Sequence, residues 1–247
     1  MTLTPKHFRS VIVCCLIGAV LSGCARQDVP QGVNDPIEPF NRKVHDFNKA
    51  VDQNLLKPMA GSGSGNVELG ERIGDFADNL GKPADIVNNV LQLRLVKATE
   101  NLMRFGVNTV FGVGGLFDVA TAAGMPENDT DFGETLHVWG VGEGAYLELP
   151  LIGPSTERDL AGALVDMVID PLNQLPRMER LAATGAKIAG RVADRGRYSD
   201  LTDSVLYESA DSYAQARLLY LQNRRFELGQ TSGEGNFVDP YEDPYAE

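Results

Sequence analysis

Few residues in this chain could do chemistry. Past position 23 only His45 and His137 could act as imidazole bases or metal ligands, and they stand far apart in the sequence. With no H-E-x-x-H motif around either, they make no recognisable metal site. A serine nucleophile would need a sharp strand-to-helix turn of the G-x-S-x-G type. The AGSGSG run at 60–65 does not supply it, because the third position of its glycine-bounded pentapeptide is Gly63. Gly112-x-Gly114-Gly115 is not a dinucleotide fingerprint, since Phe117 occupies the last glycine position. Asp85, Asp118 and Asp131 read as helix caps or solvated charges rather than acids or bases. The sequence therefore points away from enzymatic function, and it implies no cofactor.

Cys24 is the residue with the clearest chemistry. Lys6 and Arg9 form a basic start, and residues 11–21 form an apolar run too short to span a bilayer, which takes about 20 residues. The run ends in Leu21-Ser22-Gly23-Cys24, which resembles a bacterial lipoprotein box. There the cysteine receives a diacylglycerol thioether and becomes the first mature residue. Residues 1–23 are thus expected to be a signal peptide and 24–33 a lipidated tether. Several acyl chains anchor stably where one holds marginally. Ala25 favours the outer membrane over inner-membrane retention. Cys14 and Cys15 leave with the signal, so the mature chain has no disulfide.

The formal net charge is −12 and becomes more negative once Lys6 and Arg9 are removed. Nucleic acid is excluded as a partner, since binding it needs a basic surface. Contact with anionic headgroups is disfavoured for the same reason, which leaves acyl chains and apolar surface for membrane attachment.

The elements that must position any site are helices. Asp35 as N-cap, Pro36 in the first turn and Glu38 as the closing residue of a capping box predict a helix start. Phe40, Val44, Phe47, Val51 and Leu55 then form an apolar stripe expected to pack inward, and Pro58 is expected to end the helix. AGSGSG reads as a flexible linker. Leu69, Ile73, Phe76 and Leu80 predict a second helix closed by Gly81 and Pro83, and Pro83 opens a third carrying Ile86, Val87, Val90 and Leu91. A longer helix is predicted from about 93 to 111. Tyr146–Leu149 alternates like a short strand. Further helices carry Leu160, Leu164, Met167 and Val168, then Met178, Leu181, Ile188 and Val192. The segment 198–228 contains another, and 229–247 is an acidic tail expected to be disordered.

One stretch stands out. Residues 105–117 carry no charge yet hold four glycines, and residues 139–146 are again apolar and glycine-rich. Glycine inside a regular element costs roughly 0.5–1 kcal/mol relative to alanine. Such spending suggests close approach of backbones or a segment that must bend.

Three blocks together resemble one family. The first is Asp35-Pro36-Ile37-Glu38-Pro39-Phe40-Asn41-Arg42. The second is Arg104-Phe105, Asn108-Thr109 and Gly112-Val113-Gly114-Gly115-Leu116-Phe117-Asp118-Val119-Ala120. The third runs from Asp131-Phe132-Gly133-Glu134-Thr135-Leu136 through Trp139-Gly140-Val141-Gly142-Glu143-Gly144 and Tyr146-Leu147 to Leu149-Pro150, Gly153-Pro154-Ser155 and Arg158-Asp159. The pattern resembles the MlaA/VacJ family of outer-membrane lipoproteins over residues 34–228. The resemblance implies an all-α, ring-shaped, membrane-embedded lipoprotein with a central channel and at most a very short β-hairpin. It implies phospholipid as cargo, removed from the outer leaflet. It also implies a trimeric porin and a soluble periplasmic carrier of the Mla pathway as partners. By the same resemblance Trp139, Gly140, Gly142, Gly144 and Tyr146 form a channel or gate loop. Phe105, Val110, Phe111, Leu116 and Phe117 are then membrane-embedded or ring-lining.

Overall fold

The computed structural model describes residues 32–62, 67–170, 172 and 175–230. The signal segment, Cys24 with most of its tether, residues 63–66 and the tail beyond 230 lie outside the described residues. Within them the protein is all-α apart from one two-stranded antiparallel hairpin. No helix among the described residues is long and apolar enough to cross a membrane. Two compact units are distinguished: one contains Glu71–Gly144 and Glu157–Arg191, the other the described parts of Val29–Gly70, Ala145–Thr156 and Val192–Glu247.

The second unit begins with α1, Glu38–Val51. Its start differs from the expected capping box. Ile37 is the N-cap, makes no side-chain cap, and Pro39 sits in the first turn. Asp35 is used elsewhere: Asn41 Nδ2 donates to its Oδ1 at 2.9 Å, and Tyr213 and Arg217 donate to its Oδ2. A long-range network has taken the carboxylate a local cap would have used. Pro58 does not end the helix. A π-helical turn, Asp52–Leu56, leads into α2, Lys57–Ser62, where Pro58 occupies the first turn and needs no amide partner. Ala60, Gly61 and Ser62 of the expected linker are therefore helical.

The hairpin in this unit is β1, Tyr146–Leu149, as the alternation predicts, paired with β2, Gly153–Thr156. Alternation does not reveal β2, the second strand of the very short hairpin that the resemblance implies, because Pro154 argues against a strand; it is tolerated opposite Glu148 on an edge. Completing the unit are the C-terminal part of α8 (Arg177–Arg197), α9 (Ser199–Asp203), a second π-helical turn (Ser204–Glu208) and α10 (Ser212–Glu227). Asp211 caps α10 by accepting from Ala214 N at 3.0 Å. Tyr146, Tyr213 and Leu221 form the apolar core here, with Tyr220 packed against them.

The first unit is built on α3, Val67–Leu91, and α4, Leu95–Val110. Helix α3 runs straight through Gly81 and Pro83, where two helices were expected. An internal proline costs about 3 kcal/mol, so tertiary contacts must outweigh it. They do so on both sides of the break: Asn79, Lys82, Asn88 and Asn89 are all buried. After α4 come the short α5 (Val119–Ala122), α6 (Phe132–Val138) and α7 (Glu157–Ile169). Helices α6 and α7 touch backbone to backbone. A Cβ on Gly162 would lie 2.3 Å from Gly133 N, which only paired glycines permit.

Candidate functional site

The interior of the first unit is polar. Helix α4 turns Asn101, Arg104 and Asn108 inward and leaves Leu95, Val96, Leu102, Met103 and Val110 exposed. Arg104 is the centre of this arrangement. Its Nη1 donates to Met125 O at 2.7 Å, and its Nη2 donates to Asp118 Oδ2 at 3.0 Å and Thr121 Oγ1 at 2.9 Å. Asn108 completes the clasp, donating to Asp118 Oδ1 at 3.0 Å and accepting from Ala120 N at 2.8 Å. Burial pushes the Asp118 carboxyl up, but hydrogen bonds from Thr121 and Asn108 and the Arg104 charge outweigh it, so its pKa is lowered. As expected, Asp118 is an N-cap, and so is Asp131, which accepts from Glu134 N at 2.7 Å. Asp85 is different: it lies within reach of buried Lys82, 3.4 Å away.

This clasp forces the glycine turn between α4 and α5. A Cβ at Gly112 would lie 2.2 Å from Phe117 O, and one at Gly115 would lie 2.5 Å from Asn79 Cβ. Asn79 Nδ2 donates to Gly114 O and Thr109 Oγ1, both at 3.2 Å. The turn is locked from within and apolar without: Val110, Phe111, Val113, Leu116 and Phe117 are exposed, with Arg72 stacked on the Phe117 ring at 4.6 Å.

A second feature is the segment after α6. Gly140 ends that helix in a left-handed conformation, φ +91°. Gly140 N donates to His137 O at 2.8 Å and Val141 N to Leu136 O at 2.9 Å, the paired bonds of a Schellman cap. Trp139 stays half outside, its Nε1 donating to Leu91 O at 3.3 Å and its ring edge-on to Phe132 at 5.5 Å. Gly144 is also left-handed, and Glu157 lies so close that a Cβ would sit 2.5 Å from its Oε2. Between them, Gly142 has open space around it. Arg158 N donates to Glu143 O at 3.3 Å, so the segment lies over the first turn of α7.

Comparison with known proteins decides what kind of chain carries these features. The family model of the MlaA lipoprotein matches residues 33–227. The intermembrane phospholipid transport system lipoprotein MlaA of Haemophilus influenzae is 31% identical over 244 residues, covering 95% of this chain and 94% of its own. The Escherichia coli protein of the same description is 33% identical over 238 residues, covering 92% and 90%. An uncharacterised Rickettsia felis protein is 35% identical over 189 residues, covering 75% and 74%. A solved structure presented as the structural basis for maintenance of bacterial outer membrane lipid asymmetry is 33% identical with a TM-score of 0.67, covering 78% of this chain and 98% of its own.

The chain belongs to the MlaA lipoprotein family.

Within this MlaA family fold the residues expected to act together are divided. Trp139, Gly140, Gly142 and Gly144 share one segment of the first unit. Tyr146 does not belong to it: it begins β1, is 1% exposed, and its N–H is bonded to Asn34 O at 2.8 Å. A ring fixed in the core cannot move with a bending loop, so the candidate segment ends at Gly144. Of the residues expected to face membrane or passage, Val110, Phe111, Leu116 and Phe117 are exposed and Phe105 is half-buried. Phe40 and Phe47, expected to pack inward, are exposed, as is Leu55. Only Val44 of that stripe is buried.

His45 is buried, with Nε2 3.1 Å from Ser212 Oγ and Nδ1 3.5 Å from Glu148 Oε1. The order serine–histidine–carboxylate resembles a hydrolytic relay. Ser212, however, follows Asp211, whose carboxylate accepts from the α10 amides that would have to stabilise an oxyanion. The pKa of Asp211 is lowered to about 2, first by Arg42, so the opposing charge is permanent. The arrangement does structural work in the polar interior. His137, on α6, is half-buried.

Proposed function

We propose that this protein moves phospholipid. It takes mislocalised phospholipid from the outer leaflet of the outer membrane through a passage and passes it to a soluble periplasmic carrier, maintaining lipid asymmetry. It is anchored from the periplasmic side by acyl chains on Cys24 and works beside a trimeric porin. The chemistry is transfer without covalent change, which is the sense of reading it as no enzyme.

The observation that carries this reading is the inversion of polarity. Among the described residues, buried polar and charged side chains outnumber buried apolar ones, while large apolar side chains such as Phe40, Leu95, Phe111, Leu151 and Met167 are exposed. In water that arrangement is unfavourable, since each exposed large apolar side chain forgoes about 1.5–3 kcal/mol of burial. In acyl chains it becomes favourable, and the polar interior becomes a route for a headgroup. The glycine hinges at Gly140 and Gly144 supply the bend such a route needs. The names of the relatives from Haemophilus influenzae and Escherichia coli are consistent with this cargo.

The test is surface phospholipid, labelled chemically on intact cells lacking the native family member. Wild-type protein is expected to lower it. Gly142→Pro, still folded and porin-bound, is expected to leave it high. Labelling that is the same with and without the wild-type protein would identify a scaffold that moves no lipid.

A further inference from the structure

Arg158 is a buried charge to which phospholipid transfer as described so far gives no role. It stands in the first turn of α7, and its side chain is 0% exposed. Its Nε reaches Asp159 Oδ1 at 3.3 Å. Its two terminal nitrogens, Nη1 and Nη2, are buried and have no hydrogen-bond partner. Two buried arginines elsewhere among the described residues spend terminal nitrogens on acceptors. Arg104 spends both on Met125, Asp118 and Thr121, and Arg195 binds Asp52 with Nε and Nη2.

An arginine stays charged at any physiological pH, and a desolvated charge is costly unless it is paired. Asp159 meets the side of the guanidinium at Nε, which leaves the outer fork unused. That fork has the spacing of two oxygens on one planar or tetrahedral anion. The segment that covers the first turn of α7 runs between the left-handed Gly140 and Gly144, with Glu143 O held by Arg158 N. Movement of that segment would break the Arg158 N–Glu143 O bond that holds it over this turn.

We propose that Arg158 is the phosphate-binding residue of the passage: its free guanidinium fork takes two non-bridging oxygens of a phosphodiester once the 140–144 segment moves aside. The assignment rests on the phospholipid-transfer reading. It makes the site selective for a lipid that carries a phosphodiester over a neutral glyceride with the same acyl chains.

The experiment uses the full lipidated protein in detergent with three probes: dioctanoylphosphatidylglycerol, dioctanoylglycerol and inorganic phosphate. Wild-type protein is expected to bind the phospholipid. Arg158→Gln is expected to weaken that binding at least tenfold and leave dioctanoylglycerol unchanged, and Arg158→Lys to fall between. Equal phospholipid binding by wild type and Arg158→Gln overturns the assignment and leaves the transfer reading standing. Wild-type protein that binds no phospholipid overturns both. Displacement of the phospholipid by millimolar inorganic phosphate gives the site to the free ion and overturns the lipid assignment. Should Arg158→Gln fail to fold, phenylglyoxal labelling of the wild type decides. Arg158 is expected to be modified slowly and to be protected by phosphatidylglycerol but not by dioctanoylglycerol. An Arg158 that is never modified, or that is protected equally by both lipids, overturns the proposal.

Discussion

Arg195 and Asp52 face each other as a two-point ion pair, with Nε–Oδ1 at 2.7 Å and Nη2–Oδ2 at 3.0 Å, both side chains buried. Asp52 begins one π-helical turn, and Asp203, which also accepts from Arg195 Nη2, at 2.6 Å, directly precedes the other. Tyr207, inside the second turn, donates to Asp52 Oδ2 at 2.7 Å. One guanidinium therefore ties together both places where the helical ladder is widened. π-Turns are strained and persist where something holds them.

Arg195→Gln should accordingly destabilise the fold by about 3–5 kcal/mol, because it leaves Asp52 charged and enclosed. Arg195→Met combined with Asp52→Leu should recover much of the loss, since removing both charges removes the uncompensated one. Denaturant unfolding in detergent checks both. A double variant as unstable as Arg195→Gln would show that geometry rather than charge matters here.

Asn41 and Asn48 lie two turns apart on α1 and act on the free edge of β1. Asn41 donates to Tyr146 O at 3.1 Å and accepts from Glu148 N at 3.0 Å. Asn48 donates to Leu149 O at 2.9 Å and accepts from Leu151 N at 2.7 Å. The two amides take the place of a third strand. Asn41→Ala should cost about 3 kcal/mol, since it strands several buried groups at once. Amide exchange should accelerate selectively at Glu148 in Asn41→Ala and at Leu151 in Asn48→Ala. Uniform acceleration across the hairpin would contradict this division.

These asparagines show what was legible in the sequence and what was not. The longer amphipathic helices and β1 follow from periodicity, which is insensitive to which face points inward; the short α5 and α6 carry no such pattern. The orientation of α1 does not follow. The rule for water-facing proteins puts the apolar stripe of Phe40 and Phe47 in the core, yet both rings are exposed. The better signal was the polar one: Asn41 and Asn48, and likewise Asn101 and Asn108, recur at a spacing that keeps them on one face. The run through Pro83 was hidden for a related reason, since its compensation comes from buried Asn79, Lys82 and Asn88 rather than from an apolar pattern. In the 139–144 segment Gly140 and Gly144 are readable as backbone needs, while the burial of Tyr146 depends on Tyr213, far along the chain.

Val113 holds a left-handed backbone, φ +55°, with its side chain exposed. A β-branched residue there is strained by about 1–2 kcal/mol. Leu93 and Leu151 repeat the pattern, left-handed and exposed at their own turns. Asparagine tolerates this conformation, so Val113→Asn should raise the melting temperature in detergent while weakening flotation with phospholipid vesicles. Leu151→Asn should do the same. Variants that are more stable and float as well as wild type would remove membrane contact as the reason for the strain.

Lys82 is surrounded by three carboxylates. Asp129 is in direct contact, and Glu127 and Asp85 each approach to 3.4 Å. Burial pulls the Lys82 ammonium down, but Asp129 and the other two more than offset it, and its pKa is raised. Asp85 is the most enclosed carboxylate of the three and gives up its charge first: burial pushes its pKa up to about 7, against which Lys82 only partly acts. Below about pH 4 Asp85 is protonated in both folded and unfolded chains. Between pH 4 and 7 the unfolded chain loses this proton and the folded one keeps it. The folded state is then penalised by about 1.4 kcal/mol per pH unit, up to about 4 kcal/mol in all. Asp85→Asn removes that slope. Its stability relative to wild type should therefore rise from pH 4.5 to pH 7 and level off above, as followed by denaturant unfolding at intervals of one unit. A difference that stays constant over this range would show that Asp85 is ionised in the folded protein throughout and is a full partner of Lys82.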